Sequence, residues 1–223
     1  MEITWLGHAA FELRGKSQTI YIDPVAMEYG GAQTKRLFED AEPADIILLT
    51  HHHTDHCNPD SFKRMRTAST IVVGPHACKD KVRGLLQEIE PGATLTFGST
   101  TIRAVHAYNT ARQREPGVPF HPKGVGVGYV VTMDGHSVYH TGDTEPCAEM
   151  AEISGVDVVL APVDDHYTMS PEEAVRCAAT VRAQYFIPMH FFDTEVQRII
   201  AAAKGEPGVT LRMLDVGESL TLG

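Results

Sequence analysis

Residues 51 to 56 read HHHTDH, so four of the chain's twelve histidines fall within six positions, with Asp55 between the last two. Imidazoles and carboxylates fill a core poorly and are costly to bury unpaired. In extended backbone alternate side chains share a direction, which makes His51 and His53 a chelating pair and turns His52 away. Asp55 and His56 follow where a turn can swing them toward a second point. Mixed imidazole and carboxylate donors suit Zn, Fe, Mn or Ni rather than Ca. More donors stand at expected strand ends, in His140-Thr141-Gly142-Asp143-Thr144 and in Pro188-Met189-His190. Asp143 can bridge two cations, and the small Gly142 permits close backbone approach. The pattern points to two divalent ions held by dispersed segments.

The segments between these donors must bring them together. Asp45 to Thr50 (DIILLT) is a continuous apolar run, as in a strand buried on both faces, and the histidines begin where it ends. Glu2 to Leu6, Ala10 to Arg14 and Gln18 to Ile22 read as an antiparallel meander, broken at Gly7-His8 and Gly15-Lys16. Helices are expected at Asp60 to Met65 and Lys79 to Ile89, and strands at Thr70 to Val73, Ala93 to Phe97 and Thr101 to Val105. Residues 107 to 124 read as a long loop rich in Pro and Gly, a feature more often functional than idle. Val125 to Met133 and His136 to His140 form a hairpin around Asp134-Gly135.

Asp157 to Ala161 reads as a second buried strand. Ser170-Pro171-Glu172-Glu173 is a capping box opening a helix to Arg182, with Ala174, Ala178 and Val181 on one face. Tyr185 to Met189 is a strand that delivers His190. Thr194 with Gln197 opens a last helix with Val196, Ile199, Ile200 and Ala203 inward, and Val209 to Met213 and Ser219 to Leu222 close the chain. This order predicts one α+β domain over residues 1–223, two β-rich halves with helices outside and no linker between them.

Nineteen basic against 29 acidic residues leave a net charge of −10, and the longest basic patch is Lys63-Arg64-Met65-Arg66. A surface built to grip phosphate backbones is therefore not expected, and nucleic acid is excluded as a partner. Cys57, Cys78, Cys147 and Cys177 show no C-x-x-C pair, so neither a zinc ribbon nor a thioredoxin motif is present, and reduced thiols in the cytoplasm fit best. No stretch has the length to span a bilayer, and the opening MEITWLGHAAFELRG alternates like a strand, so no membrane association is expected. There is no G-x-S-x-G elbow and no phosphate-binding P-loop.

THHHTDH after DIILLT, YHTGDT after a strand and IPMHF near the end resemble the metallo-β-lactamase fold superfamily. Within it they resemble the small hydrolases related to L-ascorbate-6-phosphate lactonase and to N-acyl-phosphatidylethanolamine phospholipase D. TWLGHAAFEL, YIDP and PVDDHYTMSPEEA resemble the same group, so the likeness spans nearly the whole chain. Its motifs are specific for the fold and not for the substrate. The resemblance implies a four-layer αββα sandwich with two divalent metal ions, Zn foremost and Mn, Ni or Fe as alternatives. His51 and His53 would bind one metal, Asp55 and His56 would open the second site, Asp143 would bridge and His190 would complete the second.

In the hydrolases that the chain resembles, the third histidine of the first site lies on the loop after the strand that here is Thr101 to Val105, and by spacing back from Asp143 that position falls near Asn109, a poor zinc ligand. His106 and His121 are the alternatives. AYN followed by FHPKGVGVGY resembles a subgroup in which the loop brings that histidine back to the metal, so the resemblance favours His121 and leaves His106 as a substrate contact or a support for a ligand. Asp23 is implied to orient a ligating histidine, although before Pro24 it also reads as a turn residue. His8 lines the pocket or follows Gly7 in a turn, Asp165 and His166 either touch substrate or support a ligand on the side where His190 emerges, or only cap the end of their strand, and Cys57 belongs to the core.

The implied chemistry is hydrolysis of an ester, lactone or phosphodiester in a small molecule by a metal-bridging hydroxide, with Asp55 and Asp143 as catalytic carboxylates. Tyr29, Tyr108, Phe120 and Lys123 are the expected pocket residues, Lys123 as partner for an anionic group. Two other classes remain open. One is a redox or sensing centre, which normally brings a flavin-binding domain for which 223 residues leave no room. The other is a non-catalytic binding protein on the same fold, the outcome if neither His106 nor His121 reaches metal. A homo-oligomer is expected by analogy.

Overall fold

The computed structural model describes residues 1–27 and 31–223; Tyr29, named above as a pocket residue, lies outside them. The chain forms two compact units, residues 1–89 with 214–223, and residues 90–213.

The first unit opens with the expected meander, β1 (Glu2–Gly7), β2 (Ala10–Arg14) and β3 (Thr19–Ile22), followed by α1 (Gly31–Glu39), β4 (Ile46–Leu48) and β5 (Ile71–Gly74). α1 was not anticipated; it packs on the unit's core through the buried Phe38. β4 is fully buried and pairs in parallel with β3 and β5, as its unbroken apolar run requires. Residues 59–65 form successive turns rather than the expected helix. Phe62 and Met65 are buried, which gives the sequence a helical spacing, but the backbone makes isolated i to i+3 bonds such as Met65 N–H to Phe62 C=O.

The helix expected to reach Ile89 is the single turn α2 (Lys79–Val82). It stops at Arg83 and Gly84, whose φ angles of 29° and 74° leave the helical region, and the chain continues into β6 (Leu86–Glu88), parallel to β5. A C-terminal strand, Ser219–Thr221, pairs antiparallel with β1.

The second unit contains β7 (Thr94–Phe97), β8 (Thr100–Ala107), β9 (Gln113–Glu115), β10 (Val118–Pro119), β11 (Gly126–Met133), β12 (His136–His140), β13 (Val158–Pro162), α3 (Pro171–Thr180), β14 (Tyr185–Met189), α4 (Val196–Lys204) and β15 (Thr210–Leu211). The segment read as pure loop thus carries a small β9–β10 hairpin. Asp134 and Gly135, both at positive φ, turn β11 into β12 as expected. The Ser170 capping box opens α3, with Ser170 accepting from Glu173 N–H and Glu173 returning the bond.

α4 departs from expectation at its start. Glu195 precedes it without a side-chain cap, because Thr194 Oγ1 donates to Val163 C=O instead, at 2.7 Å. Val196 is consequently 45% exposed, while Ile199 faces the core.

The two sheets share one pairing sequence. The first runs C-terminal strand, β1, β2, β3, β4, β5, β6, and the second β7, β8, β11, β12, β13, β14, β15. In each, three antiparallel pairings are followed by three parallel ones. The repetition is invisible in the sequence and explicit in the topology. The acid at the end of β3 is Asp23, and the acid three residues past β12 is Asp143.

Candidate functional site

In the first unit, β3 and β4 end side by side, and the first residues beyond them carry the chemistry. Asp23, fully buried and at a φ of 45°, accepts from Thr50 N–H at 2.7 Å and from Thr50 Oγ1 at 2.6 Å, and meets His56 Nδ1 at 2.7 Å. A carboxylate only accepts, so His56 Nδ1 carries a proton and Nε2 carries the lone pair. The Thr50 hydroxyl has given its proton to Asp23 and accepts from His51 Nδ1 at 3.0 Å, which leaves the lone pair of His51 on Nε2. One buried acid thereby fixes two imidazoles.

Asp23, His51 and His56 offer donor atoms within 4.8 Å of one another, and so do His8, Asp55 and His56. His51 Nε2 lies 3.0 Å from His53 Nδ1, and His8 Nε2 lies 3.1 Å from Asp55 Oδ2. His8 sits at a φ of 52° and is buried, so the turn after Gly7 also aims it at the cluster. Cys57 is buried in the core.

In the second unit, the donors arrive from three separate places. His121 comes from the 107–124 segment, Asp143 follows β12, and His190 follows β14 at a φ of 54°. His121 Nε2 and His190 Nε2 both face Asp143 Oδ2, at 3.2 and 3.4 Å. The other nitrogen of His190 meets Asp164 Oδ2 at 3.0 Å. Asp164 is pinned in turn by Thr168 Oγ1 and by the backbone N–H groups of His166, Tyr167 and Thr168. Burial pushes its carboxyl up, but the His190 bond and these donors outweigh that and hold it below the usual range.

The support for His190 is therefore Asp164, not the neighbouring Asp165 or His166. Asp165, at a φ of 62°, pairs with Arg112 at 2.9 Å and Arg198 at 2.6 Å. The His166 ring packs on Phe120 and Tyr167. Alternation along PVDDH would have favoured one acid of the pair, but the left-handed turn at Asp165 decides which one faces inward.

Of the two alternatives His106 and His121, it is His121 that lies within pairing distance of Asp143, as His190 does. His106 lies on β8 with its Nδ1 buried and without a hydrogen bond among the described residues, its ring 6.2 Å from Tyr108. Lys123, expected to await an anion, is occupied: Nζ lies 2.5 Å from Glu149 Oε1 and 4.8 Å from the Tyr108 ring centroid. The bond to Lys123, foremost, holds the Glu149 carboxyl down at about 2.

Asn109 is buried beside His121, and Glu145, which the sequence did not single out, is buried behind Asn109. Glu145 Oε2 accepts from the backbone N–H groups of Thr110, Ala111 and Arg112 at 2.9, 2.9 and 2.7 Å. Its Oε1 meets Arg112 Nη1 at 2.6 Å. Burial pushes this carboxyl up, but the backbone donors and the guanidinium hold it below the usual range. Arg112 also pairs with Glu173, at 2.8 Å, in the capping box of α3.

A family model described as a β-lactamase superfamily domain matches residues 2–190. A UPF0173 metal-dependent hydrolase of Methanoculleus marisnigri is 34% identical, over all of this chain and 97% of that protein. A crystal structure from Parabacteroides distasonis, described as that of a metal-dependent hydrolase, superposes with a TM-score of 0.83 at 32% identity, covering 95% of this chain and 91% of the other. The metallo hydrolase Igni18 of Ignicoccus hospitalis superposes at 0.82 with 23% identity, over all of this chain and 98% of Igni18, and shares the fold.

Proposed function

The chain belongs to the β-lactamase superfamily and is one of its metal-dependent hydrolases, and from that premise we propose that it cleaves an ester, lactone or phosphodiester bond in a small molecule, using two divalent cations, zinc foremost. The ligand set we propose is His51, His53, Asp55 and His56 from the first unit with His121, Asp143 and His190 from the second. We place the protein in the cytoplasm, with no nucleic acid or membrane as partner. Among the described residues no helix is long and apolar enough to cross a membrane.

The observation that carries this reading is the aim of the ring nitrogens. Asp23 and Thr50 place a proton on Nδ1 of His56 and His51, Asp164 takes Nδ1 of His190, and each ring thereby presents Nε2 to its neighbours. Lone pairs directed at one another and at a carboxylate oxygen, as His121 and His190 are toward Asp143, repel unless a proton or cation lies among them. Imidazole and carboxylate in this number fit zinc and its borderline relatives.

Divalent cations there would lower the pKa of a coordinated water and polarise the scissile oxygen. The protein's share is position and proton handling. Asp23 and Asp164 fix ring orientation, which raises ligand basicity. His8 and Asp55, 3.1 Å apart, can take the proton released on attack and return it to the leaving oxygen. The rings of Phe120, Tyr167 and Phe192 form a partly exposed aromatic face, and Phe192 contacts the His190 ring at 4.8 Å, which suits the organic part of a small substrate.

Elemental analysis of protein purified without chelator, followed by assays on aryl esters, lactones and bis(aryl) phosphodiesters, tests this proposal. About two metal equivalents per chain with turnover in one substrate class is the expected result. Fewer than one equivalent after metal is added back, with no turnover, rules it out.

A further inference from the structure

Asn109 stands where the resemblance led us to expect a metal-binding histidine, and its hydrogen bonds explain what it does there. The side-chain amide has one acceptor oxygen and one nitrogen that can only donate. On one side of it lie two groups that can only accept, Glu145 Oε2 at 3.2 Å and Tyr167 C=O at 2.8 Å. The nitrogen must therefore face them. On the other side lies the backbone N–H of His121, which can only donate, 2.7 Å from Oδ1. The orientation of the amide is thus fixed twice over, by partners on both sides.

The same Oδ1 lies 2.8 Å from His121 Nδ1. An oxygen that can only accept demands a proton on Nδ1, so the lone pair of His121 falls on Nε2, the nitrogen 3.2 Å from Asp143. We propose that Asn109 is a positioning residue that sets the tautomer and direction of His121, with Glu145 as the anchor that holds the amide in that orientation. It replaces a ligand with the group that aims the ligand. His106, whose Nδ1 has no such partner among the described residues, is left unset.

The anchor is itself held on several sides. Glu145 is 2% exposed and accepts from three consecutive backbone N–H groups as well as from Asn109, and Arg112 closes it off from solvent. The backbone adds a further clamp, since Asn109 N–H donates to His121 C=O at 2.9 Å. The two ends of the 107–124 segment are therefore tied together at the residue that has to be aimed.

This inference rests on His121 being a ligand, so the test separates the two. Nitrogen-15 NMR of the metal-free protein reads the tautomer directly. Wild type is expected to keep a proton on His121 Nδ1 whatever Nε2 carries, and Asn109→Ala to show a fraction of molecules in which Nδ1 has lost it. Asn109→Asp keeps an acceptor and should keep the Nδ1 proton, although its second oxygen faces Glu145 and lowers the melting temperature. Zinc affinity, measured by competition with a chromogenic chelator, should fall about 10- to 100-fold in Asn109→Ala and stay within about threefold of wild type in Asn109→Asp.

A His121 Nδ1 without a proton in wild type overturns the proposal without any variant. So does an Asn109→Ala protein whose tautomer and zinc affinity match wild type. Full metal content in His121→Ala would instead remove the ligand assignment, while the tautomer measurement still judges the hydrogen-bond chain by itself.

Discussion

The two clusters solve the same problem in opposite ways. In the first unit four candidate ligands come from one hexapeptide at the end of β4, and a single carboxylate, Asp23, aims two of them through Thr50 and His56. In the second unit three candidate ligands come from three distant places in the chain, with a separate partner for each histidine: Asn109 for His121 and Asp164 for His190. Yet the sheets beneath have the same pairing sequence, and in both the acids follow a strand at the switch from antiparallel to parallel pairing. The same scaffold can therefore carry a cluster aimed by one acid or one aimed residue by residue. The first arrangement concentrates risk, and the second distributes it.

Removing the shared acceptor of the second cluster should have the largest effect. Asp143→Ala is expected to lower kcat/KM by at least about a thousandfold while urea unfolding of the metal-free protein changes little. Loss below tenfold would mean that the second cluster is not catalytic. The reverse balance is expected for Asp23→Ala. This fully buried carboxylate bonds to three groups, and its loss leaves Thr50 N–H and His56 Nδ1–H unsatisfied, at a cost of about 3 kcal/mol in urea unfolding. Metal content should fall with it. Equal stability losses in the two variants would erase the distinction between the clusters.

The sequence exposed the first cluster because it is contiguous: HHHTDH needs only the alternation of an extended chain to be read. Asp143 and His190 were legible as acid and imidazole at strand ends, and His121 as the histidine of FHPKG. Their partners were not. Glu145 carries no local pattern, since its importance comes from the backbone of residues 110–112, which folds around it. Asp164 was hidden by Asp165, because a single positive φ decides which acid points at His190. Among the elements, buried strands with unbroken apolar runs were plain. The turns at residues 59–65 mimicked a helix, because burial of Phe62 and Met65 reproduces its spacing without its hydrogen bonds.

A smaller effect is expected from backbone displacement. A Cβ added at Gly128 on β11 would stand 2.7 Å from Thr141 C=O and 3.0 Å from His140 C=O. Neither is a flexible side chain that could yield. Gly128→Ala should therefore push away the segment leading to Asp143, at about 2 kcal/mol of stability, and lower zinc affinity at the second cluster. Unchanged unfolding in urea would show that the end of β12 tolerates movement.

The smallest effect concerns the ion pairs around the second cluster. Arg198 bonds Glu172 and Asp165, and its hydrogen bond to Glu172, foremost, holds that carboxyl at about 2 rather than the usual 4.5. A carboxyl whose folded-state value is depressed stabilises the protein above pH 4.5 and loses that contribution as the pH falls toward 2. Both partners are 44% exposed, so the contribution is modest and screened by salt. Melting temperatures of wild type and Glu172→Gln, measured in metal-free protein from pH 6 downward, should converge as the acid range is entered, because only wild type has this pair to lose. Parallel curves would show that the pair contributes nothing. The anchoring of the 107–124 segment would then rest on the buried Glu145 and its backbone donors, where solvent competes least.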